Sequence, residues 1–252
     1  IEDPVGFIVE TVLPRACRNL ATPSQAKATW VKLGMEYNRF FSAAGKLGKI
    51  SAELGYPSIP MGGAYAPLDI IGDFLRGFDT VLLDIHRYPD KVKQAAEALV
   101  EPVINYALAS KRPGVNVSFI PLHLNEYMSP KMYNEFYWPT LKKVILRLVE
   151  EGFKVYVYFE GHHDAHLETI LELPRGWGMA YFEKTDVVKA KKVLKDHTCI
   201  IGGMPVSLMV GGTPATIDEY VKNLLEQVKP GGGFILSPNV GTAPRETPLE
   251  NL

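Results

Sequence analysis

Downstream of residue 115, short apolar runs alternate with longer stretches whose apolar positions recur at helical spacing. The runs are VNVSFIPLHL, KVYVYFEG, MAYFEKTD, TCIIGGMP and GGFILSPN, and SIPMGG, with a strand over Ser58 to Met61, adds a sixth upstream. They are mostly continuous rather than alternating, which predicts parallel strands buried on both faces. The stretches between them predict helices. SPKMYNEFYWPTLKKVILRLVEEG opens with Ser129 as N-cap and Pro130 at N1, and carries Pro139 where a kink is expected. AHLETILELP, VVKAKKVLKDH and GTPATIDEYVKNLLEQV follow, the last capped by Thr213. Upstream, residues 22 to 54 open with a capping box (Thr22, Gln25), APLDIIGDFLRG has helical spacing, and a long helix starts near Pro89 and Asp90. Repeated strand–helix units predict an α/β protein, either a (β/α)8 TIM barrel or a doubly wound sheet. No G-x-G-x-x-G follows any strand, which weighs against a dinucleotide sheet.

Six strands leave a barrel two short. The chain starts at Ile1, and Thr247, Pro248 and Glu250 read as N-cap, N1 and N3 of a helix that stops at once. Residues 1–252 are therefore expected to form a single barrel domain, cut at both ends and lacking an N-terminal part.

Composition narrows the function classes. Lys plus Arg number 27 against 28 for Asp plus Glu, so no basic face for nucleic acid is expected. Cys17 and Cys199 give no disulfide framework and no CxxC pair, which fits a cytoplasmic protein. No apolar run reaches the length of a membrane span.

The polar residues concentrate just after the strands: His123, Asn125, Glu126, Glu160, His162, His163, Glu183, Asp186 and Asn239. In a barrel these strand ends build the active face. Glu160 and His162 stand two apart, and in an extended chain they point the same way. They are thus expected to converge as catalytic or metal-binding groups, with His163 facing away; a polar loop on the rim is the alternative. His123 is a pocket candidate or a satisfied core histidine. Asp186 is a substrate-binding candidate or simply the N-cap of the next helix. His86 and His197 are expected on the surface. Cys199 is expected to fill core, and Asp164 to cap the helix after it.

The order and spacing of APLDIIGDFLRG, PLHLNEYMSPKMYNEFYWPTLKKVI, FEG with LELPRG, FEKTD, CIIGGMPVSLMVGGTP and GGGFILSP with TPLENL resemble the uroporphyrinogen decarboxylase superfamily, which includes cobamide-dependent methyltransferases. The resemblance covers nearly the whole chain and implies a (β/α)8 barrel. It is closer to the methyltransferase branch. Where decarboxylases have Ala-Pro-Trp-Thr this chain has Leu68 and Asp69 as the last two residues, LHLNEYMS replaces their Asp-Ser-Trp stretch, and SPNVGTAP replaces their Gly-His-Gly. Methyltransferases of the branch hold zinc with His-x-Cys and a later Cys. Here Glu160-Gly161-His162 stands at the pair, or Phe159 and Gly161 in a register shifted by one, and Asn239 near the last position. That harder donor set implies zinc or another divalent metal on Glu160 and His162, or direct substrate binding.

The resemblance thus implies methyl transfer to or from a small substrate, with a corrinoid as co-substrate, free or on a corrinoid protein. Glu160, His162 and His123 would be catalytic, and Tyr65, Asn125, Glu126, Asp186 and Asn239 would line the substrate pocket. It implies a homodimer as well. Porphyrinogen decarboxylation, with Arg76 and Arg245 as the available cations, and a non-catalytic tetrapyrrole- or corrinoid-binding barrel are the alternatives.

Overall fold

The computed structural model describes residues 23–56, 59–111 and 113–252. Cys17, Thr22 and Ser58 lie outside the described residues, and with them the predicted cap of the first helix and the start of the first strand. The chain forms two compact units, Ile1–Pro60 and Met61–Leu252. In the first, helix α1 (Pro23–Glu53) presents Trp30, Leu33, Tyr37, Phe40, Phe41 and Leu47 to solvent. No helix of the described residues is long and apolar enough to cross a membrane.

The second unit is built on six parallel strands in sequential order: β1 (Met61–Gly63), β2 (Val117–Leu122), β3 (Lys154–Phe159), β4 (Gly178–Phe182), β5 (Cys199–Met204) and β6 (Phe234–Pro238). Sequential all-parallel order with helical crossovers is the (β/α)8 barrel order, and the described residues supply these six of its strands. One face of the sheet is fully buried under helices: Ile120, Leu122, Val155, Val157, Phe159, Ala180, Phe182 and Ile200. The opposite face carries Phe119, Pro121, Tyr156 and Tyr158, which are only partly buried. The expectation of strands buried equally on both faces is corrected here. The second face lines the barrel interior, and aromatic side chains with polar tips suit a surface that is half apolar and half wet.

The helices follow the sequence pattern with three informative departures. The helix predicted from Pro89 breaks into α4 (Pro89–Ala98) and α5 (Val100–Leu108), after α2 (Pro67–Ile70) and α3 (Phe78–Arg87). Pro102 explains the break, because it offers no N–H to the Ala98 carbonyl. The helix carrying Pro139 starts as α6 (Pro130–Met132), passes through a π-helical turn (Tyr133–Tyr137) and continues as α7 (Trp138–Glu150). Pro139 cannot bond the Glu135 carbonyl, and the wider turn absorbs that defect. Beyond it, Leu141, Val144, Ile145 and Leu148 face the core at helical spacing. Third, AHLETILELP forms only a 3-10 segment, Leu167–Glu172, so Asp164 has no helix to cap and instead accepts from the Asp186 amide at 3.4 Å.

The caps were better foreseen. Ser129 accepts from the Met132 amide, Asp186 accepts from Val188 and Lys189 at the start of α8 (Val187–Val193), and Thr213 forms a capping box with Thr216 before α10 (Pro214–Val228). Between these last two lies α9 (Val206–Gly211). His197 is not a surface residue: it is buried, with Nε2 3.1 Å from the Ile170 carbonyl. Cys199 opens β5, part-buried.

Gly178 sets the approach of β3 to β4. A Cβ there would lie 1.8 Å from the Val155 carbonyl oxygen, which is backbone and cannot rotate aside. Gly178→Ala is therefore expected to destabilise the fold by about 1–3 kcal/mol, as overpacking of a rigid site does. Urea unfolding checks this; an unchanged midpoint would show that the strands separate freely at this position.

Candidate active site

Strand register places the polar groups. Phe119 pairs with Tyr156, and Pro121 with Tyr158, in a parallel ladder that ends at Leu122 and Phe159. Continuing that register by one residue brings His123 beside Glu160. On the other side Tyr158 pairs with Tyr181, which brings Glu160 beside Glu183. His123, Glu160 and Glu183 thus form the layer above an aromatic layer on the same face. Tyr158 and Tyr181 rings are 4.7 Å apart in that lower layer, and their hydroxyls donate to the Asn239 and Pro238 carbonyls of the last strand end.

His123 is the best-held group. Its Nδ1 lies 2.6 Å from Asp73 Oδ2, so the ring donates Nδ1–H to that carboxylate. Its Nε2 lies 3.5 Å from Glu160 Oε1, an ion-pair distance longer than a hydrogen bond. A quarter of the imidazole remains exposed. Burial lowers its pKa, but Asp69, Asp73 and Glu160 outweigh that and carry it above the usual histidine value. Glu160 is shifted up by its own burial and by Glu183, Asp73 and Glu126, against the pull of His123. The arrangement is an imidazole between two carboxylates, able to hold a proton and to present it at Nε2.

Beneath it sits Asp69, fully buried. Its oxygens accept from the amides of His123 and Leu124, both at 3.0 Å, and from the Tyr137 hydroxyl at 2.6 Å. Burial pushes its carboxyl up to about 6, against the pull of these three donors. Sequence reasoning missed both Asp69 and Asp73. The signal was present: two carboxylates four residues apart on the otherwise apolar APLDIIGDFL stretch share one helical face.

The expected convergence of Glu160 and His162 is corrected. β3 ends at Phe159, and Gly161 turns the chain with φ +65, so the alternation of an extended strand does not reach residue 162. The His162 side chain is 68% exposed and its Nδ1 lies 3.7 Å from Asp164. His163, expected to face away from the mouth, is fully buried on the helix side against Phe159, Tyr133 and His166, and burial, then His166, hold its pKa well below the usual value. His166 is buried too, stacked on Tyr133 at 4.2 Å. A metal on Glu160 and His162 does not fit this geometry, and among the described residues no three His, Cys, Asp or Glu side chains gather as a metal set.

Asn125 and Glu126, expected in the substrate pocket, hold the loop instead, together with Glu183 and Thr185. Asn125 donates to the Glu160 carbonyl at 2.8 Å, Glu126 accepts from the His162 amide at 2.8 Å, Glu183 accepts from the Gly161 amide at 2.7 Å, and Thr185 accepts from the His163 amide at 2.8 Å. Asn239 Oδ1 accepts from the Val206 amide at 3.1 Å and so fixes the start of α9. Asp186 is the N-cap described above. Glu183, Asp186 and Asn239 nevertheless line a 330 Å³ cleft beside the strand ends, with Lys184, Tyr220 and Gly203. Tyr65 is partly buried, its ring 5.6 Å from Phe74, and its pKa is raised by burial and then by Asp73 on the same side of the site. Of the described residues foreseen for the site, the structure brings His123, Glu160 and Tyr65 around Asp73, and leaves His162 outside.

Two expectations follow. His163→Ala should cost about 2–3 kcal/mol in urea unfolding, because it opens a cavity in a closed aromatic cluster. His162→Ala should stay within about 0.5 kcal/mol of wild type, as exposed substitutions do; equal costs at both positions would contradict this placement. The second concerns pH. The folded pKa of His123 is raised, so its contribution to stability is fully present below about pH 6.5 and is lost as pH rises through the folded value. His123→Ala should therefore destabilise more at pH 6 than at pH 9, and a pH-independent difference would show that the imidazolium is not stabilised by its carboxylates.

Comparison with known proteins agrees with this architecture. A methyltransferase from Methanosarcina mazei has a similar structure, with a TM-score of 0.63 and 24% sequence identity over 81% of this chain and 59% of that one. At that identity the likeness speaks for the fold alone, and the chain spans less than two thirds of that protein's length. No curated protein matches the chain. Residues 34–252 match the sequence model of uroporphyrinogen decarboxylase (URO-D). With the match covering most of its length, the chain belongs to the uroporphyrinogen decarboxylase (URO-D) family and has that family's (β/α)8 barrel fold.

Proposed function

We propose that this barrel is a cytoplasmic, corrinoid-linked methyltransferase acting on a small molecule, with His123 as the proton carrier. The observation that carries the reading is the His123 imidazole, held on Nδ1 by Asp73 and left with Nε2 facing Glu160 at the strand ends. A corrinoid, free or protein-bound, supplies the centre that takes up or gives the methyl group. The residues of this chain do the rest. In the demethylating direction the donor's carbon–heteroatom bond would break with the heteroatom keeping that bond's pair, and a bound corrinoid would supply the pair for the new bond to the methyl group. His123 Nε2–H then protonates the heteroatom, and Glu160 steadies the ring. In the opposite direction neutral His123 takes the proton of the acceptor. The name of the Methanosarcina mazei structure supports the reaction class.

The charge of the site argues against decarboxylation of a polycarboxylated tetrapyrrole. Asp69, Asp73 and Glu160 lie around His123, Glu183 and Glu126 stand near Glu160, and Lys184 is 3.8 Å from Glu126. Such a mouth repels carboxylates. Arg76, the nearest candidate cation in sequence, is bound to Asp84 at 2.6 Å, and Arg245 is exposed. A metal step is not part of the proposal, because the donor set does not fit one.

Purified protein supplied with reduced corrinoid and a panel of small methyl donors should consume the reduced corrinoid, followed by its absorbance. His123→Ala should slow turnover by about 10²–10⁴-fold, the range of a lost proton-transfer group. In the demethylating direction kcat/KM should be level below the raised His123 pKa and fall above it, because the protonated ring is the active form. Uroporphyrinogen should not be decarboxylated. Absence of turnover with every donor, or formation of decarboxylated porphyrinogen, would sink this reading.

A further inference from the structure

We infer that Asp69 is the positioning residue of the site: a buried carboxylate that fixes the strand-end backbone carrying His123. The inference deepens the reading of His123 as proton carrier and rests on it. Three observations converge. Asp69 has no exposed surface, yet it carries a carboxylate in an otherwise apolar helix of Pro67, Leu68 and Ile70. Two consecutive amides, His123 and Leu124, point at its two oxygens at 3.0 Å each. A hydroxyl from a third element, Tyr137 in the π-helical turn, closes on Oδ2 at 2.6 Å.

Two adjacent N–H groups bonded to one carboxylate fix the peptide plane between them. That plane lies at the root of the His123 side chain, one residue beyond the last pair of the β2 ladder. Without Asp69 the strand tip would have two buried amides and no acceptor, and each lost bond to a charged partner is costly. A neutral apolar residue could fill the same volume without desolvating a charge. What the carboxylate adds is direction and a negative potential.

Every charged group facing the imidazole is acidic. Asp69 lies below its backbone, Asp73 holds Nδ1 and Glu160 faces Nε2, with Glu183 and Glu126 behind Glu160. Asp73 sets the ring's rotation and Asp69 sets where the ring is rooted. A displacement of this root by about 1 Å is enough to cost roughly two orders of magnitude in rate.

The test is an NMR titration of the histidine ring protons in the whole chain, with the His123 signal identified by its absence in His123→Ala. In Asp69→Asn the His123 pKa should fall by about 1, the effect of removing one nearby opposite charge. In the methyl-transfer assay the same variant should lose about tenfold or more in kcat with KM within about threefold, since the group touches no substrate. A purely structural Asp69 would lower thermal stability and leave the His123 titration where it was. An unchanged titration in folded Asp69→Asn overturns the inference. If that variant does not fold, Tyr137→Phe decides: it removes one donor, raises the Asp69 carboxyl further, and should lower the His123 pKa by a smaller amount. An unchanged titration in Tyr137→Phe then overturns the inference. The titration needs no substrate. A wild-type protein that moves no methyl group therefore removes the functional reading, while the coupling of Asp69 to His123 is still decided.

Discussion

The site depends on one costly object, a carboxylate with no exposed surface. Asp69 meets α2, the tip of β2 and the π-helical turn before α7 at a single point, through two amides and one hydroxyl. Burial alone would favour its neutral form, and the three donors oppose that. The balance leaves the carboxyl pushed up to about 6, above the range of an exposed aspartate, in the manner of a poised site rather than of a core. The π-helical turn belongs to the same balance. It exists because Pro139 lacks an N–H, and it is where Tyr137 finds the angle to reach Asp69.

The second constraint is register. In a parallel sheet each strand end repeats the offset of the ladder beneath it, so chemistry is assembled across strands rather than along one. His123, Glu160 and Glu183 become neighbours because Phe119, Tyr156 and Met179 are neighbours four residues earlier. The same register puts tyrosines directly below the acidic layer. Their hydroxyls are tied to the backbone near Pro238 and Asn239, which leaves their rings to shape the interior. Burial pushes the Tyr156 hydroxyl up to about 12, so it remains a neutral donor under any ordinary condition.

Much of the fold was legible in the sequence, and the reasons are local. Thr213, Asp186 and Ser129 cap helices because a short polar side chain before a helical run has one strong use. The strands were legible as apolar runs between them. The interior face was not, because Tyr and Phe read as core in a sequence and only the closure of the barrel decides whether they face helices or a lumen. The long helix after Pro89 broke at a proline that lay in plain view, and its consequence at i−4 was computable.

The site was legible by position and misread in direction. His123 and Glu160 were recognised as strand-end groups, and they do meet. The pairing of Glu160 with His162 rested on extended geometry carried one residue too far. Gly161 has φ +65, and a Cβ on it would lie 1.8 Å from Glu126 Oε2, so this glycine both ends the alternation and lets Glu126 close on the His162 amide. The turn sends His162, expected at the mouth, to solvent, while His163 packs away from the mouth in the core. A glycine between two candidate ligands is thus a reason to doubt that they share a face, since it is the residue most able to break the period on which the pairing depends. By the same reasoning the aspartates of APLDIIGD were the sounder clue. They lie on one continuous helical stretch, Asp69 in α2 and Asp73 in the π-helical segment Ile71–Arg76 that follows it.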